Sequence, residues 1–476
     1  MSRIERRATA FKVGAIALQD MARRTSFFPE PDAEGTGGVV ASNRLVLTNS
    51  TVVILQSRSE PGHAAPNGGR RVGNGRSWDL LVLKCSWRTI SVLMIADEYQ
   101  WPARLRILVT GASGLIGREM CGVLADRGHS VIALLHRSHT LRRNDGAVIP
   151  TMPFDGTPQT SVVAVLDGDV TADRFGLSLP MAGALMAGVD VIIHCAAVTA
   201  FNLPQSTYDR VNVGGTAQVL AFAARAGPGM RVLHVSTAYV CGEAAGIIPE
   251  APTAAVRFNN GYEASKAAAE ALVLTAHRQG QAVVIARPSI VAGHWESGAI
   301  GAFGSIYQLF RLITDWRTGP LSTSSHASLS LVPVDHVTGA LTDIAERMGQ
   351  ADGQIFHLTA SDPVPLTTVE NLAREFAASR PYPPDRLRLS PRQQSLHATV
   401  AATYASYLRP SPDFTTSNLA ALSGRCCPPT DTGYICRLIR YAITMGFLPE
   451  NRPAPITGRP DNTDPALFDD RTPSSR

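Results

Sequence analysis

The sequence predicts a doubly wound α/β protein built on a parallel sheet, with a smaller, mostly C-terminal region over the strand ends. Three observations carry that expectation. From Leu105 onward, short continuous apolar runs alternate with helical stretches. One of these runs ends in a glycine triplet that opens a helix, and a later alanine-rich helix begins with a tyrosine four residues ahead of a lysine. Continuous apolar strands separated by helices indicate a parallel sheet covered on both faces.

Bulk properties agree. At 476 residues the chain has length for two or three cores, and 45% hydrophobic with 17% charged residues is a globular composition. The net charge of +5 contains no long block of one sign, so nucleic acid is not an expected partner. The seven cysteines form no CxxC pair, and no His/Cys cluster has zinc-ligand spacing. No metal is therefore expected, and reduced thiols in a cytoplasmic protein are the plain reading. No apolar run approaches the roughly 20 residues of a membrane span. The basic opening, MSRIERRATAFKVGAIALQDMARR, is interrupted by Glu5 and Asp20 and lacks a clear cleavage site, so it is not read as a signal.

Residues 1–103 differ from the rest. RLVLTNSTVVILQ and DLLVLKCSWRTISVLMIA are candidate strands, separated by the Gly/Arg/Pro-rich SRSEPGHAAPNGGRRVGNGRS. The segment is expected to be a poorly ordered extension or a misplaced start, because Met94 directly precedes the first strong strand. Residues 104–292 read as the nucleotide-binding domain, through RILVT, SVIALL, SVVAVLDG, VDVIIHCAA, MRVLHVST and AVVIARPSIV. Residues 293–450 are expected to bind substrate, with a strand returning to the core near 331–337 in LSLVPVDHV. The Pro/Asp-rich stretch 451–476 reads as a disordered tail.

The glycine triplet lies in RILVTGASGLIGREM, a strand, a turn and a helix in direct succession. Gly111, Gly114 and Gly117 allow a tight turn, close approach of backbone amides to a pyrophosphate, and helix–strand packing. With Ala112, Ser113, Leu115 and Ile116 they form the expected cofactor loop. The spacing is GxxGxxG, not GxGxxG, and a glycine triplet alone merely ends many strands; the strand–turn–helix context favours a dinucleotide. The second strand runs on into His136 and Arg137, with no carboxylate before Asp145. An acidic residue there would hold a ribose 2′-hydroxyl, whereas arginine suits a 2′-phosphate. Arg137, with Arg118, Arg142 and Arg143, favours NADPH over NADH, although each arginine alone could be a solvated side chain.

Asp169 and Val170 follow the third strand where an adenine edge would lie, with an ordinary loop aspartate as the alternative. Ala196 and Ala197, followed by Val198, leave room for a cofactor across the strand ends, unless they only serve helix packing. Ser236 and Thr237 end the fifth strand with hydroxyls that could reach a substrate carbonyl or cap a turn.

In GYEASKAAAEALV, Tyr262 and Lys266 share one helix face. An ammonium about 4 Å from a phenolate stabilises it by roughly 4 kcal/mol at an effective dielectric of 20. That would bring a phenol from about 10 toward 7 or 8. Tyr262 is then a general acid, with Thr237 or Ser236 opposite. The spacing is common by chance; its place downstream of the glycine turn gives it weight.

Taken together, these motifs resemble the extended short-chain dehydrogenase/reductase superfamily. More narrowly they resemble its branch of fatty acyl-CoA reductases (the male-sterility type) and thioester reductase domains. The resemblance runs from about 105 to 450, with GDVTADRFGLS, FNLPQSTYDRVNVGGT, HVSTAYVCG, GYEASKAAAEALV, RPSIVAGHWESGAIGAF and LVPVDHV as its marks. It implies a Rossmann fold, Thr237 as catalytic hydroxyl, Tyr262 as proton donor and Lys266 on the nicotinamide ribose. It further implies a structural role for Asn212, and Pro288 and Ser289 beside the nicotinamide. The activity it implies is NADPH-dependent reduction of an acyl thioester, as acyl-CoA or on an acyl carrier protein in trans, to aldehyde or alcohol. Nothing before residue 105 resembles the adenylation or carrier domain that often accompanies this branch. A nucleotide-sugar epimerase/dehydratase, a hydroxysteroid- or flavonoid-type dehydrogenase, and a non-catalytic NADP(H) sensor are the competing expectations on the same scaffold.

Overall fold

The computed structural model describes residues 43–48, 51–58 and 77–83 as backbone strands, and 104–136, 140–157, 160, 162–314, 326–377 and 410–449 in side-chain detail, save Ser305 and Ala377. The chain divides into two units, Met1–Glu98 and Tyr99–Arg476. The first contains a three-stranded antiparallel sheet, Asn43–Thr48, Thr51–Arg58 and Ser77–Leu83. The first candidate strand of the sequence is thus a hairpin, pairing Thr48 with Thr51. All three strands overlap the two candidate apolar stretches, and the rest of 1–103 lies outside the described residues. The tail 451–476 lies outside the described residues.

The second unit is organised by eight parallel strands. They are β1 (Arg106–Thr110), β2 (Ser130–Leu135), β3 (Thr151–Pro153), β4 (Val163–Asp167), β5 (Val191–His194), β6 (Arg231–Val235), β7 (Val283–Pro288) and β8 (Ile355–Leu358). Their spatial order is β8-β7-β6-β5-β1-β2-β4-β3. The chain starts in the middle, builds outward through β2, then returns to place β5 on the other side of β1. That reversal opens a crevice at the carboxyl ends of β1 and β5, where ligands bind in such sheets.

Alternation within the strands explains their unbroken apolar character. Ile107, Val109, Val131 and Ala133 face one core, which α1 (Leu115–Asp126) and α6 (Val334–Glu346) cover. Leu108, Ile132, Leu134 and Ile192 face the other, under α2 (Leu179–Gly188), α3 (Gly215–Ala226) and α4 (Gly261–Arg278). Both faces are covered, so most positions of the central strands are apolar and the polar exceptions, such as His194 and His234, are buried.

A third core gathers α5 (Ser305–Thr314), α7 (Leu366–Ala377) and α9 (Thr432–Thr444) around Tyr307, Phe310, Leu329 and Leu438. This is the smaller C-terminal region. A strand is expected to return to the core near 331–337. Leu331–Pro333 pairs with Ile290–Ala292 beside the main sheet, and residues 334–337 open α6 instead of continuing a strand. Pro333 explains the change, because proline ends strand pairing and suits the start of a helix. The chain then rejoins the main sheet as β8.

Candidate active site

The glycine turn sits in the crevice. Gly111 has φ +67°, and a Cβ there would lie 2.5 Å from Ala196 N. Only glycine adopts that conformation and permits that contact cheaply. The Gly114 amide closes the turn onto Gly111 O at 2.9 Å. A Cβ on Gly117 would overlap Gly111 O, so α1 packs directly on the turn. No side chain caps the first amides of α1, which leaves donors at its N-terminus beside the strand ends. Arg118 folds back over the turn, donating to Ser113 O at 2.6 Å. Gly111 through Gly117 thus form one compact cradle, with the Cys195–Ala196 backbone as its opposite wall. This bare, donor-rich turn fits the pyrophosphate of a dinucleotide, because a Cβ at either end would fill it.

At the adenosine end, exposed His136 follows β2, and Arg137 lies outside the described residues. Asp169 accepts from Thr171 N and Oγ1, both at 2.8 Å. Burial acts to raise its pKa, but those bonds and nearby His136 and Arg210 outweigh it, so the carboxylate lies below its ordinary value. Val170 packs beside α3, 3.2 Å from where a Cβ on Gly215 would stand. Arg143 is turned elsewhere: Glu119 (3.5 Å) and Asp126 of α1 hold its guanidinium. Its charge is already compensated, which the sequence could not indicate.

Three elements place the candidate reacting groups. Thr237, at the end of β6, accepts from Tyr239 N at 3.3 Å and donates to Pro288 O at 3.4 Å, so it is braced against β7. Asn260 caps α4 by accepting from Glu263 N at 2.9 Å, and Glu263 returns a bond to Asn259 N at 3.0 Å. This reciprocal cap fixes the first turn of α4 and with it Tyr262. Thr237 hydrogen-bonds the phenol, and Phe201 meets its ring edge-on at 6.4 Å. One turn further, Lys266 is buried and donates to Val235 O at 2.8 Å. Ser289, after β7, donates its amide to Leu358 O at 3.1 Å and accepts from Ser330 Oγ at 3.1 Å. Thr237, Tyr262, Lys266 and Pro288 therefore converge at the carboxyl ends of β6 and β7.

The electrostatics differ from the sequence expectation. Burial pushes the Tyr262 phenol up to about 12, the Thr237 hydrogen bond pulling the other way. Lys266 is itself lowered to about 8, by burial, with Glu270 opposing. The spacing put the two Cβ atoms on one face, but Nζ points down to β6, and desolvation governs the phenol.

Asn212 joins these parts. It lies in a π-helical turn, Asp209–Gly214, ahead of α3. Its Oδ1 accepts from Val198 N at 2.8 Å, and its Nδ2 donates to Val198 O at 3.1 Å and Ser265 Oγ at 2.9 Å. Ser265 Oγ donates to Tyr262 O at 2.7 Å. The loop after β5 is thereby sewn to the helix of Tyr262 and Lys266. Sequence reading passed over Ser265, His194 and His234; a histidine inside each of the apolar runs VIIHC and VLHVS was the available signal.

Residues 109–341 match the family described as Male sterility protein. Glycine betaine reductase ATRR of Emericella nidulans is 29% identical over 287 residues, which cover 55% of this chain and 21% of that protein. The 4-hydroxy-2-methyl-3-oxo-4-farnesyl-3,4-dihydroquinoline-1-oxide ketoreductase of Stigmatella aurantiaca is 34% identical over 191 residues, 40% of this chain and 51% of its own. The chain thus spans about half or less of the length of these curated relatives. The terminal R domain from the myxalamid PKS-NRPS biosynthetic pathway shares the fold at TM-score 0.60 and 24% identity, over 76% of this chain and 99% of that one. Among the described residues no helix is long and apolar enough to cross a membrane. Over residues 109–341, which carry the switch-point glycine cradle and the Thr–Tyr–Lys cluster, the chain is similar to the male sterility protein family.

Proposed function

We propose that the chain is an NADPH-dependent reductase that converts an acyl thioester, as acyl-CoA or on an acyl carrier protein, to an aldehyde. The observation that carries this reading is the convergence of the Thr237 hydroxyl and the Tyr262 phenol over Lys266. The phenol, joined by the Thr237 hydroxyl when that proton turns from Pro288 O to substrate, would bind one carbonyl oxygen and stabilise the negative charge it gains. At about 12 the phenol stays protonated throughout the neutral range, so Tyr262 is in its acid form when substrate arrives. Lys266, beneath it, supplies positive charge once the proton has left. Residues Gly111–Gly117, Asp169, Val170, Ala196–Val198, Lys266, Pro288 and Ser289 would hold the dinucleotide. When bound, that cofactor supplies the two electrons and the hydrogen delivered to the carbonyl carbon. The balance is thioester plus NADPH plus a proton giving aldehyde, free thiol and NADP.

NADPH is preferred in this reading because the end of β2 offers His136 and Arg137 and no carboxylate. Arg137→Ala should weaken NADPH much more than NADH; equal losses would remove Arg137 from that role. Support for the thioester comes from the resemblance of GDVTADRFGLS and RPSIVAGHWESGAIGAF to the thioester-reducing branch and from the likeness to the terminal R domain of a PKS-NRPS pathway. The ketoreductase relative favours a second reading, reduction of a ketone with no leaving group. Following NADPH absorbance and thiol release together separates the two. Thiol appearing in step with NADPH oxidation supports the thioester; oxidation with ketones alone, without thiol from any acyl donor, supports the other.

A further inference from the structure

Lys266 rests on more than a backbone carbonyl. Its Nζ also stands 3.4 Å from His234 Nε2. An ammonium can only donate, so Nε2 accepts, and the neutral ring then carries its proton on Nδ1. His234 is fully buried, and its Nδ1 has no partner. A buried donor left unpaired is destabilising, so packing alone gives no reason for a histidine in β6.

The neighbouring histidine shows the contrast. Thr216 Oγ1 gives its single proton to Asn212 O at 2.6 Å, so His194 Nε2 donates to Thr216 Oγ1 at 3.2 Å. His194 Nδ1 then accepts from Thr110 Oγ1 at 2.7 Å. Both nitrogens of His194 are satisfied among threonines. His234, whose ring centroid is 5.4 Å away, has one nitrogen on the lysine and the other idle.

We propose that His234 is a positioning residue whose Nε2 lone pair holds the Lys266 ammonium beneath the Tyr262 phenol and sustains its charge. Other groups face Lys266 from each packed element. Glu270, one turn further along α4, favours the ammonium. Cys195, after β5, is a thiol that burial raises to about 12, and His194 on β5 is a ring that burial lowers to about 3; both are neutral at neutral pH. Among the described residues, the hydrogen-bond acceptors at Nζ are Val235 O and His234 Nε2. Burial already brings Lys266 to about 8, so the strength of this second acceptor decides how much ammonium survives at neutral pH.

The inference rests on Lys266 acting under the phenol in carbonyl reduction, but its test does not depend on turnover. The full chain is labelled with 15Nζ-lysine, and the resonance absent from Lys266→Arg reports the Lys266 titration. His234→Leu should lower that midpoint by about one pH unit, a tenfold loss of ammonium at a pH above it. His234→Gln, which restores an acceptor, should recover most of the shift. His234→Leu should also melt no lower than the wild type, since the orphaned Nδ1 donor is gone. An unchanged midpoint in His234→Leu, or an equal shift in His234→Gln, overturns the proposal. Should His234→Leu fail to fold, His234→Asn, too short to reach Nζ, replaces it with the same two outcomes. If the midpoints move as expected while no carbonyl compound is reduced, the reductase reading falls and this one stands.

Discussion

Glu270 and Arg287 close a two-pronged ion pair, at 2.9 and 2.7 Å, with each side chain 1% exposed. The pair ties α4, which carries Tyr262 and Lys266, to the end of β7. Arg287 spends a further donor on Ala251 O at 3.0 Å. Removing one partner of a buried pair leaves an uncompensated charge. Glu270→Ala should therefore lower unfolding stability by about 3–5 kcal/mol. Urea denaturation measures it, and a loss under about 1 kcal/mol would mean that water reaches Arg287.

The glycine cradle should not tolerate a methyl group. Gly111→Ala places a Cβ against Ala196 at a φ that only glycine favours, and Gly117→Ala drives α1 off the turn. Both variants should lose at least tenfold in dinucleotide affinity, read by NADPH fluorescence, while circular dichroism stays close to wild type. Unaltered affinity in Gly117→Ala would place the pyrophosphate elsewhere.

Tyr262→Phe keeps the ring against Phe201 and removes the proton. Turnover should fall by about 10²-fold or more, with NADPH affinity unchanged. Normal turnover in this variant would move the acid role to another group.

Acid should unfold the protein through its buried imidazoles. Burial lowers His194 to about 3, and His336 and His357 to about 4, against an ordinary 6.5. Below 6.5 the unfolded chain takes up protons that the folded chain refuses. Stability is therefore full above about 6.5 and lost as pH falls toward 4, by several kcal/mol in total at roughly 1.4 kcal/mol per unit per group. Melting temperatures between pH 7 and 4.5 would show the decline, and a flat profile would place these rings in contact with solvent.

Much of the sheet was legible because burial on both faces leaves the central strands runs of consecutive apolar letters. RILVT, SVIALL and VIIH appear in the structure as β1, β2 and β5. The edges were not legible. Thr151–Pro153 has one partly buried residue, and Ile355–Leu358 interrupts its apolar run with His357. The Thr–Tyr–Lys cluster could be named from motif order, since Thr237 follows a strand, Tyr262 lies in the first turn of a helix and Lys266 one turn further on. The direction of the Tyr262 shift could not. It depends on where Nζ points and how deeply the phenol sits, and residue spacing encodes neither. Arg143 fails for a similar reason: its carboxylate partners are one helix away in space and 17 and 24 residues away in sequence.

Among the passages of the chain between the main sheet and the smaller core are those after Ala292, before Pro333 and after Leu358. These crossings lie side by side: Ala292 pairs with Pro333, and Leu358 O accepts from Ser289 N. Both bonds fall in one seam beside Pro288 and Ser289, so the smaller core is anchored to the sheet next to the carbonyl that braces Thr237, and a change in either core strains the same seam.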